Sequence, residues 1–235
     1  MIKIVRQSFN IYSVLLFTIL SYILLYIVNS IALGESALSL INLKAFTTAH
    51  LYLLGLLALS VILIWKIEKH SHFFYLAFHS ILVFQFVMSF IESQNKIILI
   101  IIFLFMVHVY LFLLTLNAEI RSASNNPLYL SNQANLIFMK KLLVTIYSVD
   151  GVYEGFLTNW NDHSCFIHLP SLEGEFPSGK IRLITKHFGK EFVGHGVISS
   201  RYTEGIGIRF IEEQEEVYNW KLLTGILNKK GIMPV

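Results

Sequence analysis

The sequence predicts an α-helical membrane region of four transmembrane helices, followed by a small antiparallel β-barrel of six strands and a C-terminal helix. Three observations carry that prediction. Of 235 residues, 55% are hydrophobic and only 14% charged, whereas soluble domains are about one quarter charged. The charge is also unevenly spread: residues 1–117 hold six Lys/Arg and three Asp/Glu, while residues 118–235 hold twelve of each. Past that boundary the apolar pattern changes from continuous runs to short alternating segments.

A bilayer core of about 30 Å requires about 20 apolar residues in a helix. Residues 11–33, 46–65, 73–91 and 97–116 meet that need, and none of the four runs contains Lys, Arg, Asp or Glu. The first is too long for the apolar core of a signal peptide, and no small-x-small site follows it, so it reads as a retained span. The breaks at 34–45, 66–72 and 92–96 are short and polar, which makes neighbouring spans antiparallel. With the N-terminus inside, Lys3, Arg6, Lys66, Lys69 and Arg121 fall on the cytoplasmic side, and Lys44 and Lys96 on the other. That follows the positive-inside rule and places both termini in the cytoplasm. The net charge of +3 resides in this apolar half, so it gives no footprint for nucleic acid.

His50, His79 and His108 lie within the spans, and polar groups at membrane depth raise a functional question. His79 and His108 fall about 10–14 Å from the inner ends of their helices at about 1.5 Å per residue. Facing each other, they would make this a membrane haem-binding protein. The plainer reading is a neutral histidine bonded to a Ser or Tyr of a neighbouring helix. The region has no acid pair, no Gly/Pro-broken helix pair and no internal repeat. It therefore reads as an anchor or assembly surface, with a small channel or transporter subunit as the alternative.

Residues 118–135 are rich in Asn and Ser, contain Pro127 and mark the expected linker between the membrane region (1–117) and a cytoplasmic domain (136–235). Residues 142–149 (LLVTIYSV) are a strand, and Asp150-Gly151 is a strong two-residue hairpin signal. Residues 152–159, 164–169, 180–185, 191–199 and 205–211 supply the other five strands, with Gly194 and Gly196 suited to a strand that bends. Residues 212–228 then predict a helix, with acids in the first turn and Val217, Trp220, Leu223 and Leu227 at helical spacing. Six short strands and one closing helix imply a small barrel. Cys165, the single cysteine, rules out an internal disulfide and a cysteine-rich metal site, and its apolar neighbours Phe166 and Ile167 suggest a core thiol. His163, His168, His187 and His195 have no metal-ligand spacing.

Two stretches carry a family resemblance. Gly205-Ile206-Gly207-Ile208-Arg209-Phe210 is similar to the last strand of the PilZ domain, the bacterial cyclic di-GMP receptor module. Residues 155–167 (GFLTNWNDHSCFI) occupy the place of that family's strand-to-strand turn bearing Asp/Asn-x-Ser-x-x-Gly. The resemblance covers about 138–228 and none of the membrane half. It implies a cyclic di-GMP site in which Asn159 fills the first motif place, Asn161 stands where Ser is expected and Ser164 where Gly is expected. The family's Arg-x-x-x-Arg pair before the first strand is replaced by Lys140 and Lys141, which supply charge without the planar fork. Asx-turn chemistry is the competing role for Asn159 and Asn161, and a solvated charge pair for Lys140 and Lys141.

No nucleophile–base pair, P-loop, zinc signature or paired acid appears in the soluble half, so the sequence offers no enzyme. The expectation is a multi-pass regulatory or adaptor protein of the bacterial inner membrane. It would act by protein contacts on a motility, secretion or exopolysaccharide machine, or by self-association. It would need no cofactor, with cyclic di-GMP either its ligand or lost in a non-binding derivative.

Overall fold

The computed structural model of the chain describes residues 3–4, 6–125, 142–169, 177, 179–211 and 217–230. Two compact units emerge, one comprising Ser8–Ile120 and the other formed by Met1–Gln7 together with Arg121–Val235.

In the helical unit, the Ile11 amide donates to Ser8 Oγ at 3.3 Å, capping α1 (Phe9–Leu33). Gly34 ends it in the left-handed conformation at φ 67°, the usual helix terminator. α2 (Leu40–Ala49) and α3 (Leu51–Trp65) follow, then α4 (Ser71–Ser93) and α5 (Lys96–Ile120). α1, α4 and α5 are long and apolar enough to cross a membrane. The second expected span is not one straight helix: α2 and α3 meet at 78° around His50, making up to four spans if the bent pair counts as one. The Thr48 hydroxyl donates to the Lys44 carbonyl at 2.5 Å and to that of Ala45 at 3.1 Å, and such back-bonding favours a bend. α3 has 15 residues, so at 1.5 Å each it spans about 22 Å, short of the roughly 30 Å core. The unit's core gathers Leu25, Val28, Leu53, Phe78, Leu82, Phe86, Ile98, Ile102 and Phe105.

α5 runs to Ile120, past the expected end of the membrane region, and a 3₁₀ turn follows at Ala123–Asn125. Pro127 and the rest of the expected linker lie outside the described residues.

The second unit is a closed antiparallel barrel of β2 (Leu142–Ser148), β3 (Gly151–Trp160), β4 (Ser164–His168), β5 (Lys180–His187), β6 (Lys190–Tyr202) and β7 (Gly205–Phe210). Around the barrel the order is β6-β5-β2-β3-β4-β7, and the β6–β7 ladder closes it. β1 (Lys3–Ile4) pairs with β6 through Lys3↔Arg201 and Ile4↔Ser200, beyond the point where β5 ends at Lys180↔Val197. It thus continues the β5 side of the ladder. Alternation places Val144, Ile146, Leu157, Cys165, Ile167, Ile181, Leu183, Ile198, Ile206 and Ile208 inside.

Two expectations shift in register. Ser148 pairs with Gly151, so the hairpin loop is Val149-Asp150. Gly151 instead opens β3 at φ 147°, which L side chains rarely adopt. The last helix, α6 (Trp220–Lys229), starts later than expected because Asn219 caps it, its Oδ1 accepting from the Leu222 amide at 3.0 Å. Val217 precedes the cap and is exposed, while the acidic residues 212–216 lie outside the described residues. Trp220, Leu223 and Leu227 bury one face of α6 in the barrel core, and Trp220 stacks on Phe210 at 4.3 Å between ring centroids.

Gly194 and Gly196 are required by close approach as well as by bending. A Cβ at 194 would lie 2.6 Å from the Phe210 ring, and one at 196 would lie 2.7 Å from the Arg209 carbonyl oxygen. The tightest approach is at Gly207, where a Cβ would run into the Ser124 carbonyl oxygen. Gly207→Val is expected to destabilise the barrel by about 1–3 kcal/mol, read as a lower thermal unfolding midpoint. Gly225→Ala on α6, where a new Cβ meets open space, should leave that midpoint unchanged or raise it.

Candidate functional site

The β3–β4 hairpin carries the described residues of the expected ligand site. Asn159 sits half-buried near the end of β3, opposite Phe166 and just past a register irregularity. Asn161 Oδ1 accepts from the amides of His163 at 2.9 Å and Ser164 at 2.7 Å, and from the Ser164 hydroxyl at 3.0 Å. This is an Asx turn that also consumes the serine hydroxyl proton. The structure brings Asn161 and Ser164 together, while Asn159 stands in the strand ladder. Lys140 and Lys141 lie outside the described residues.

α6 fastens this turn from the other side. Trp220 Nε1 donates to the Asn161 carbonyl at 2.9 Å, and the Thr224 hydroxyl donates to Asp162 Oδ1 at 2.7 Å. Ser164 is 2% exposed, its hydroxyl 3.3 Å from that of Ser122 in the segment after α5.

That segment builds a polar seam on the outer face of the barrel. The Ser124 carbonyl accepts from the hydroxyls of Ser200 and, at 3.4 Å, Ser199. Arg209 Nε donates to Ser124 Oγ at 3.3 Å, and the Ser122 and Ser124 hydroxyls lie 3.0 Å apart. The 3₁₀ turn thereby packs on β4 and β7. The same stretch of β6 takes the other chain entrance, since the Arg6 amide donates to the Ser199 carbonyl at 3.4 Å, next to the β1 pairing. Phe166 lies between the core residues Cys165 and Ile167 and so faces outward, yet it is fully buried and meets the Tyr202 ring edge-on at 5.1 Å.

Sequence reasoning did not find this seam. In the sequence, Gly207 and Arg209 read only as part of a strand motif, and Ser122 and Ser124 only as linker composition. The pairing of a side-chain-free position with a distant carbonyl has no local signal.

The membrane-depth histidines do not form a facing pair of free ligands. His79 Nδ1 lies 2.8 Å from the Tyr75 carbonyl, which places a proton on that nitrogen, and Nε2 lies 3.4 Å from the Ser21 hydroxyl of α1. His108 Nδ1 bonds the Leu104 carbonyl at 2.7 Å, and its ring is exposed. The Phe17 ring packs against both imidazoles, with centroids 5.5 and 6.2 Å away. Among the described residues, no three His, Cys, Asp or Glu side chains converge as a metal site. Cys165 is fully buried in the barrel core, and desolvation pushes its thiol well above the ordinary range.

No family model matches this sequence, and no curated relative does.

Asn161→Ala is expected to lower barrel stability by about 1–2 kcal/mol, since it removes the acceptor of three hydrogen bonds in a partly exposed turn. A shift in the denaturation midpoint of the tryptophan fluorescence reads it. A disulfide-exchange reagent should detect no thiol in the native chain and one after denaturation, because the sole cysteine is both buried and protonated. Rapid native reaction would show that β4 opens.

Proposed function

We propose that the chain is a membrane-anchored regulatory or adaptor protein with a PilZ-like barrel, derived from the cyclic di-GMP receptor module but working by protein contacts instead of by binding the dinucleotide. A closed six-strand barrel with a C-terminal helix supports the first part. So does the Gly-Ile-Gly-Ile-Arg-Phe run, which forms the closing strand β7.

Ser164 carries the second part. It is 2% exposed, spends its hydroxyl proton on Asn161 and lies against Ser122. A ligand reaching the Ser164 hydroxyl would have to displace the segment that includes Ser122, at a cost of about 0.5–1.5 kcal/mol for each hydrogen bond broken.

The anchor comprises four spans in this reading, the bent α2–α3 pair counting as one. It lies in the bacterial inner membrane with both termini cytoplasmic, as the Lys/Arg distribution favours. The partner is a component of a motility, secretion or exopolysaccharide machine, or a second copy. No reaction is assigned.

Calorimetric titration of cyclic di-GMP into the detergent-solubilised full chain is expected to show no saturable binding that depends on Asn159. Micromolar binding weakened about tenfold by Asn159→Ala, about 1.4 kcal/mol, would overturn this reading and make the protein a second-messenger effector.

A further inference from the structure

Of the three long apolar helices, α5 is the least buried, and one polar side chain shares its exposure. His108 stands midway along it, about 18 Å from either end at about 1.5 Å per residue. Its ring is exposed, with Nδ1 2.7 Å from the Leu104 carbonyl. A carbonyl only accepts, so in the neutral ring the proton sits on Nδ1. Nε2 is left as an acceptor, with no hydrogen-bond partner among the described residues. Ionisable side chains at membrane depth almost always face a bundle interior or pair with another group, because lipid chains offer no donor. This one is presented outward.

At about 100° per residue, Tyr110 lies about 160° from His108 by the shorter way round the helix. The arc between them holds Ile100, Phe103, Leu104, Val107, Leu111 and Leu114, all exposed. Ile98, Ile102, Phe105 and Leu116 are buried on the opposite side. Tyr110 is 60% exposed, and its hydroxyl, a donor, has no hydrogen-bond partner among the described residues. One apolar face thus carries an acceptor on one flank and a donor on the other. A two-fold axis matches that arrangement, since rotation by half a turn lays the His108 flank of each copy against the Tyr110 flank of the other.

We propose that this face binds a second copy of the chain, α5 against α5, with each Tyr110 hydroxyl donating to the His108 Nε2 of the other copy. The two helices run parallel, as an axis along the bilayer normal requires of copies inserted in the same sense. Tyr110 and His108 differ by about 3 Å along the helix axis. Both side chains lean toward the helix N-terminus, so the longer phenol reaches the level of the imidazole. The apolar arc supplies close packing and the polar pair fixes the register, the two contributions on which helix association in lipid draws. This deepens the reading above, which names a second copy among the partners, and it rests on α5 spanning a bilayer, for which the helix is long and apolar enough, not on the barrel.

The test reconstitutes the full chain in phospholipid vesicles, checks that alkali does not extract it, and then oxidises variants carrying one added cysteine, Cys165 being buried. Val107→Cys, in the middle of the face, should give a disulfide-linked dimer, and Met88→Cys, exposed on α4, should not. Sedimentation equilibrium in neutral detergent should show a dimer that His108→Ala weakens about tenfold, since one substitution removes both symmetric bonds. Tyr110→Phe should weaken it to the same extent, and the double variant no further than either single one, because the two side chains make one bond. Both side chains are exposed, so an unchanged circular dichroism spectrum confirms that each variant is folded. A monomer at every concentration, a dimer unmoved by either substitution, or losses that add in the double variant overturns the proposal. So does cross-linking through Met88→Cys in place of Val107→Cys. A monomer that alkali leaves in the membrane overturns this contact alone, whereas a chain that alkali releases overturns the anchor with it.

Discussion

Closure of the sheet rests on β6, which must present ladder hydrogen bonds on both edges while turning enough for the two ends of the sheet to meet. Its 13 residues pair with β5 along one edge and β7 along the other. Register shifts between Ile198 and Ser200, where the strand bends. Earlier in the same strand, Gly194 and Gly196 leave room for the Phe210 ring and the Arg209 carbonyl. The result is a closed sheet, in which the β6–β7 ladder joins the two ends of the strand order. The core it encloses, the α6 helix whose Trp220 stacks on Phe210 and the two chain entrances near Ser199 are fitted around that strand.

The seam at Ser124 shows a polar solution to a packing problem. A backbone segment laid on the outside of a finished barrel brings carbonyls that must find donors once water is removed. Ser199 and Ser200 supply hydroxyls at that point, and Arg209 satisfies the Ser124 hydroxyl. Gly207 supplies the space. Phe166, which would otherwise show an apolar ring to solvent, is covered. The contact combines apolar burial with hydrogen bonds to the Ser124 carbonyl and hydroxyl, and such a contact is specific because a slip in register would orphan the carbonyl.

Much of the barrel was legible because strands reveal themselves locally. The alternation of Leu142, Val144 and Ile146 against Leu143 and Tyr147, and the short apolar runs that follow it, located all six strands, though β3, β5 and β6 proved longer. Three things were hidden for physical reasons. Apolar content reports that residues 46–65 favour lipid but not the direction of the helix axis, so the bend at His50 left no trace. Acids before Val217 imitate a helix start, while the true start depends on one side chain, Asn219. The Asx turn at Asn161 was among the expected roles; its linkage to Ser122 was not, because the partner is 42 positions away in the chain.

The barrel unit is discontinuous: Lys3–Gln7 and Arg121–Val235 belong together, with the whole helical unit inserted between them. That order has a consequence for biosynthesis. Ile4 leaves the ribosome long before its partner Ser200 exists. At about 5–20 residues per second, the first strand waits about 10–40 s, during which α1 to α5 are made and handed to the bilayer. Completion of the barrel unit therefore follows synthesis of the helices, and a stalled or truncated chain would carry a helical bundle whose first strand has no scaffold to receive it.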